Sequence, residues 1–518
     1  MSPSDALRAA VTLPVDRPTD VLPAFVLAAA APSAARVPLY AAVTGALWLL
    51  SRAGLLDPVV AQLREVDWQA LSEAGGPGPG PGAGVGGAEQ PPAGVDGLGP
   101  ALADLAQPTV VALLAVGAGL AVVVYLLARS VAAAATQATT LAALGGHEDP
   151  LSAGVVGVGR YWRAFLGVTL VRLLGFGAAA VPAAVGVAAF SAIGPVGAVL
   201  ALAGGLLSLA LVVGVAVALT FAGPAVVVDD VGATSAVGNS VGFVRREPAA
   251  AAVYLVVTVG LSVGVGVLST LAGAANVQRL VALATLLVVG PVLTGFSLAL
   301  YGGLGPASRR ETTAEPTTPR PSVRRRLRAG AATGLRSLGA FVRGHPGANL
   351  LSAGLLAGGA AAGYLSTARY GVAVAPDRGI ETFGLVPVGP FLNIAANNWL
   401  VAAGGAFGGV FGAVPAAATV LFNGAIVGAV AGVFEPTHFL ALVAPHGVVE
   451  LPAIAVAGGL GLHLGVVGVR TARGRLGVGV AAAELRRAWR VLVGLAVVIA
   501  VAAAIEAFLT PMVAELVL

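Results

Sequence analysis

No cysteine occurs in this sequence, which excludes disulfide staples, a thiol nucleophile and any thiolate metal site. Lysine is absent too, so all 29 basic residues are arginine. Charge of either sign is scarce: 10% of residues are charged against 57% hydrophobic, and the mean hydropathy is +0.92. A soluble chain of 518 residues needs far more charged surface. Several chemistries lack their signatures as well. There is no Walker A loop, no dinucleotide-binding glycine fingerprint after a strand, no GxSxG elbow and no HExxH. The opening MSPSDALRAAVTLPVDRPTD lacks an ordered n-region, h-region and cleavage site, so no removable signal peptide is read there.

What the sequence has is long apolar runs, punctuated by 73 Gly and 33 Pro. Runs long enough to cross a bilayer lie near 108–128, 164–192, 194–222, 249–271 and 280–303, with a shorter one at 37–50 that borrows from the preceding VLPAFVLAAAA. Further runs lie near 347–368, 397–413, 415–433, 445–468 and 490–510. The expected fold is therefore all-α: a polytopic membrane protein of about eleven spans in two helical domains.

Arginine bias sets the expected orientation. The stretch 304–346 holds nine Arg against two Glu, and 470–490 holds six Arg against one Glu. Both read as cytoplasmic. The loop 52–107 carries seven acids and two Arg and reads as external. Span parity between these anchors agrees each time, giving a cytoplasmic N-terminus and an external C-terminus. The Gly/Pro-rich segment 75–100 reads as a flexible external linker. The Thr/Pro/Arg-rich stretch 305–330 reads as disorder-prone. It divides an N-terminal domain (1–303, about six helices) from a C-terminal one (345–518, about five), with 304–344 as the Arg-rich linker. Its RRRLR run is a topology anchor that can also touch anionic lipid headgroups, and a nucleic-acid partner is not expected.

The first half offers little chemistry. Segments 136–163 and 229–248 read as amphipathic helices on the cytoplasmic face. The pattern AVVVDDVGATSAVGNSVGFVRREP resembles the pre-helix of membrane domains attached to glycerophosphodiester phosphodiesterases. Arg172 sits in a span near its cytoplasmic end, where snorkelling accounts for it. His147, with Glu148 and Asp149, has ordinary turn composition.

Polar residues in the second half are few and not scattered. The stretch NIAANNWL brings Asn393, Asn397 and Asn398 to the external end of a span that continues with Gly404, Gly408 and Gly412. After a tight turn the chain returns through Asn423, Gly424, Gly428 and Gly432. Glycines every fourth residue on two antiparallel helices predict close packing of this hairpin, with Asn423 hydrogen-bonded across it. The next span opens in APHGVVELPA. Pro445 suits a first helical turn, and His446 and Glu450 at i and i+4 share a face with Ala457 and Gly461. His463 points about 100° away from them. Glu506 in the last span falls at the same depth as Glu450, in the outer leaflet. His446, Glu450, Glu506, Asn397, Asn398 and Asn423 therefore form the candidate functional polar cluster, the glycines being packing residues.

Three ordered stretches resemble the stage II sporulation protein M (SpoIIM) family over about 345–515. They are FLNIAANNWLVAAGGAFGGVFGAVPAAATVLFNGAIVG, APHGVVELPAIAVAGGLGLHLG and IEAFLTP. The signature positions carried over are Asn423–Gly424, Pro445–His446–Gly447, Glu450, Pro452, Glu506 and Pro511. The resemblance implies a membrane subunit of a septal peptidoglycan-degrading machine in endospore formers, with hydrolysis performed by partner proteins, and a family also present in bacteria and archaea that never sporulate. Arginine without lysine, Ala/Val/Gly-heavy composition and an acidic outer loop point to a salt-loving archaeon, and the resemblance implies a cell-envelope role.

Three readings follow. The adopted one is a non-catalytic scaffold or accessory subunit, with the lipid bilayer and other membrane proteins, including further copies of the chain, as partners. The alternative is a transporter or channel using the intramembrane acids and histidine, although no matched inverted repeat joins the halves. The third is an intramembrane metalloenzyme in which His446, Glu450 and Glu506 hold a metal, with His438 as a fourth group. No catalytic, cofactor or metal role is assigned to any residue at this level.

Overall fold

A computed structural model describes residues 2–65, 98–305, 322–370 and 387–517. The segment 75–100 lies almost wholly outside them, as do residues 306–321 of the linker. Among the described residues the fold is all-α, and eleven helices are long and apolar enough to cross a membrane.

The first half contains α1 (Pro3–Asp16), α2 (Pro18–Arg52), α3 (Leu56–Glu65) and α4 (Leu98–Ala103). The long helices α5 (Pro108–Leu144), α6 (Pro150–Ile193) and α7 (Pro195–Ala218) follow. Next come α8 (Ala222–Val228), α9 (Ala233–Arg246), α10 (Pro248–Ala274), α11 (Gln278–Ala284) and α12 (Gly290–Gly302). The second half contains α13 (Val323–Gly344), α14 (Pro346–Ala368), α15 (Val388–Gly408), α16 (Val414–Val433), α17 (Pro436–Ala472), α18 (Val478–Ala504) and α19 (Thr510–Val517). Single π turns link α11 to α12 (Thr285–Val289) and α18 to α19 (Ile505–Leu509).

Proline starts these helices. Pro18, Pro108, Pro150, Pro195, Pro248, Pro346 and Pro436 each occupy a first-turn position. There a missing N–H has no partner to lose and the fixed φ already suits the helix. This overturns the assignment of Pro445 as a helix start. The first turn of α17 belongs to Pro436, and Pro445 and Pro452 lie inside the helix. His438 is then a first-turn residue of α17, not part of a loop.

Two further expectations are corrected. Residues 136–163 do not form separate surface helices. They are the continuous ends of α5 and α6 around a turn at 145–149, with Thr136, Thr139 and Thr140 buried there. Thr136 and Thr140 return their hydroxyls to the backbone carbonyls of Ala132 and Thr136, so local bonding makes polar residues tolerable inside a long helix. Residues 323–330, expected to be disorder-prone, belong to α13. That helix turns its arginines outward and seats Gly334 on Gly494 of α18, where a Cβ would stand 2.6 Å from the Gly494 nitrogen.

The glycine stripes pack, but not on each other. Gly424 and Gly428 of α16 meet the carbonyls of Leu356 and Ala360 on α14, and Gly359 and Gly363 of α14 meet Leu421 and Ala425 of α16. Gly432 faces Thr367 and Tyr364 of the same helix. Backbone-to-backbone approach is what small residues offer in lipid, where apolar side chains gain nothing from desolvation. On α15, Gly408 faces Ser33 of α2, Gly404 has open space beside it, and Gly412 (φ +112°) makes the turn into α16. The hairpin expected between α15 and α16 therefore splits, each helix using its glycines on a different neighbour. The reason is α2, which occupies the groove against both.

Both halves consequently share one core. Leu22 and Val26 of α2, Trp399 and Phe407 of α15, Leu460 and Leu464 of α17, and Leu492 and Leu495 of α18 belong to a single buried cluster. A second core gathers Leu13, Phe221, Phe296 and Leu298 around α12.

Candidate functional site

Three segments, α15, α17 and the π turn between α18 and α19, bring the candidate residues together. On α17 the i,i+4 spacing puts His446 and Glu450 on one face. They lie between Pro445 and Pro452, each of which removes one helical hydrogen bond. The π turn at Ile505–Leu509 carries Glu506, and the Thr510 N–H closes that wider turn onto the Ile505 carbonyl. Pro511 follows immediately and cannot donate. From α15, Asn397 and Asn398 enter near the start of the span.

The geometry is close. One imidazole nitrogen of His446 and one carboxylate oxygen each of Glu450 and Glu506 lie within 4.8 Å of one another, and all three side chains are half-buried. Asn398 Nδ2 donates to Glu450 Oε1 at 2.9 Å, and Asn397 Nδ2 donates to Asn398 Oδ1 at 3.1 Å. The Thr510 hydroxyl donates to the Ile505 carbonyl at 3.2 Å, and its oxygen stands 3.5 Å from His446 Nδ1. Thr510 was not singled out from the sequence; its place one turn after Glu506 was the available signal.

Among the described residues, neither Glu450 nor Glu506 has an ion-pair partner. Arg36 and Arg279 line a neighbouring cavity of about 180 Å³ with Ser33 and Asn397, yet neither reaches a carboxylate of the cluster. Two ionised carboxylates at the observed separation repel by about 3–4 kcal/mol at an effective dielectric constant of about 20. Such a pair requires a shared proton or a cation.

Four residues singled out from the sequence take other partners. Asn423 donates to the Thr419 carbonyl of its own helix at 2.7 Å, not across the hairpin. An asparagine four residues after a carbonyl reaches back along its own helix at no cost in interhelical geometry. Asn393 ties α15 to the first half: its Oδ1 accepts the Arg279 N–H at 2.9 Å, and its Nδ2 donates to Asn276 Oδ1 at 3.3 Å. His438 faces Glu435, with Nδ1 and Oε2 3.4 Å apart. Arg172 lies 3.4 Å from the Leu219 carbonyl.

The opposite end holds a second set of polar contacts. His463 Nε2 lies 3.1 Å from Glu484 Oε2, and its ring meets that of His345 edge-on at 4.4 Å. Arg486 clamps two acids of the first half, Asp20 at 2.7 Å and Asp149. Burial alone would raise the Asp149 carboxyl, but hydrogen bonds from Ser152 and the Arg486 guanidinium outweigh it and hold it below the usual carboxylate range. Asp230 is likewise lowered, chiefly by its hydrogen bonds from Arg160. The HED turn read as ordinary is therefore half of a joint between the two halves.

Comparison with curated proteins and with solved structures gives no match. Residues 350–511 match the family model described as Stage II sporulation protein M, so the C-terminal region of this membrane protein is similar to that family, and the cluster from Asn398 to Thr510 lies wholly within the matched stretch.

Proposed function

We propose that this chain is a non-catalytic scaffold or accessory subunit of a membrane complex in the cell envelope, with the Asn398–Glu450–His446–Glu506 cluster as its working centre. One observation carries the reading: polar side chains from separate helices converge in the family-matched region instead of being dispersed or absent. A bilayer protein retains such groups for structure or for function. The arginine distribution supports placing α13 and residues 470–490 on the cytoplasmic side, which leaves the cluster beneath the external surface of an archaeal cell.

A second reading, transport, draws support from the cavity lined by Arg36, Arg279 and Asn397. Its test is solute or proton flux in vesicles containing the purified protein.

The scaffold reading is tested by placing a photo-cross-linking amino acid at Leu509, which is 47% exposed in the π turn that carries Glu506. In native membranes a discrete protein adduct is expected, weakened by Glu450→Gln. Adducts to lipid alone, unchanged in that variant, would remove the cluster from any partner-binding role.

A further inference from the structure

Resting on the reading of this cluster as the working centre, we propose that His446, Glu450 and Glu506 bind one divalent transition-metal ion of the Zn²⁺ class. Four observations converge. The three ligand atoms lie within 4.8 Å of one another. Atoms sharing a zinc ion at about 2.0–2.2 Å sit roughly 3.5 Å apart, so side-chain rotations of about an ångström close the site. The charge fits as well: two carboxylates without an ion-pair partner among the described residues cancel a 2+ ion, leaving a neutral group in a low-dielectric setting.

Supporting contacts are already in place. Thr510 spends its hydroxyl hydrogen on the Ile505 carbonyl, so its oxygen faces His446 Nδ1 as an acceptor. A proton on Nδ1 suits that contact and leaves the Nε2 lone pair for a metal. Asn398 holds Glu450 through Oε1, which leaves Oε2 available. These are the orienting bonds that metal ligands receive from their surroundings.

The backbone supplies the fourth observation. Both ligand-bearing segments are interrupted where the ligands sit, by Pro445 and Pro452 on α17 and by the π turn around Glu506. Single π turns within helices recur at functional sites, and here a metal would tie together the two segments least constrained by their own hydrogen bonds.

Imidazole with two carboxylates, and no thiolate anywhere in the chain, suits Zn²⁺, Co²⁺, Fe²⁺ or Mn²⁺ over Cu⁺ and over hard Ca²⁺ or Mg²⁺. Three protein ligands leave a coordination position for water or a donor from a partner.

The test uses the full chain in lipid nanodiscs, stripped with a chelator and re-equilibrated with Zn²⁺ alone, with elemental analysis after desalting. Co²⁺ in place of Zn²⁺ reports geometry through its visible absorption. About one equivalent is expected, with at least 10-fold weaker binding in each of Glu506→Gln, Glu450→Gln and His446→Ala. His438→Ala should bind as the unmodified protein does. Glu506→Gln is nearly isosteric, and monodispersity of each variant checks folding. Retention near zero in the unmodified chain, or binding indifferent to Glu506→Gln, overturns the proposal. Metal bound without a Leu509 adduct would instead defeat the partner reading and leave the site standing.

Discussion

Gly428 of α16 lies against the backbone of Ala360 on α14, so that a Cβ on Gly428 would stand 1.8 Å from the Ala360 carbonyl oxygen. Gly404, the corresponding member of the other stripe, has no atom within 4 Å of such a Cβ. Gly428→Ala should therefore force the helices apart and cost about 1–3 kcal/mol. Gly404→Ala should be neutral or stabilising by up to about 1 kcal/mol, through better helix propensity. Thermal midpoints of the two variants in one detergent separate these outcomes. Equal losses would mean that α16 packs on α15 after all.

The Asn398–Glu450 bond offers a swap. Asn398→Asp replaces a donor by a third carboxylate beside Glu450 and should destabilise by more than Asn398→Ala. Adding Glu450→Gln to Asn398→Asp restores one donor and one acceptor across the same 2.9 Å gap. The double variant should recover most of the loss, with a coupling of about 1–3 kcal/mol in a double-mutant cycle. An additive cycle would show that the contact is incidental.

The Asp149–Arg486 pair should show in acid. Because the folded Asp149 carboxyl titrates below its unfolded counterpart, its contribution is fully present above the unfolded value of about 3.9. It disappears as pH falls through the lower folded value. The Asp149 side chain is 43% exposed, so solvent screening limits the contribution to under about 1 kcal/mol. Thermal midpoints should show Asp149→Asn below the unmodified protein by a constant margin from about pH 7 to 5, with the two converging below about pH 4. A margin that widens in acid would contradict the sign.

Trp399 is 5% exposed, and its indole N–H donates to the Leu492 carbonyl at 2.9 Å. Trp399→Phe removes that donor and leaves a small void between α15 and α18. The expected loss is about 1–3 kcal/mol, with no change in metal content. A loss of metal would place Trp399 among the groups that hold the cluster in shape.

Much of this architecture is legible one residue at a time. Apolar runs have a length fixed by the bilayer, and Pro at a first helical turn marks where most of them begin. The i,i+4 spacing of His446 and Glu450 follows from helix geometry alone. The side that Gly428 presents to α14, and the clamp of Arg486 on Asp20 and Asp149, depend on which helix fills which groove. No periodicity within α16 or α18 encodes that choice. Thr510 escaped notice for a related reason: a π turn shifts the register by one residue, so the face carrying Glu506 cannot be extrapolated past it at 100° per residue.

Helix α2 carries a further consequence. It is the first span in the chain and the most buried of the eleven, and its neighbours include α15 and α16, which lie more than 330 residues later. Ser33 at its middle finds the Gly404 carbonyl as acceptor only once α15 exists. During synthesis α2 can pack on α5 early, but the face that meets α15 and α16 must stay uncovered while most of the protein is made. Biogenesis of this bundle is therefore not a simple stacking of helices in order of emergence. The last helices to be inserted complete the seat of the first.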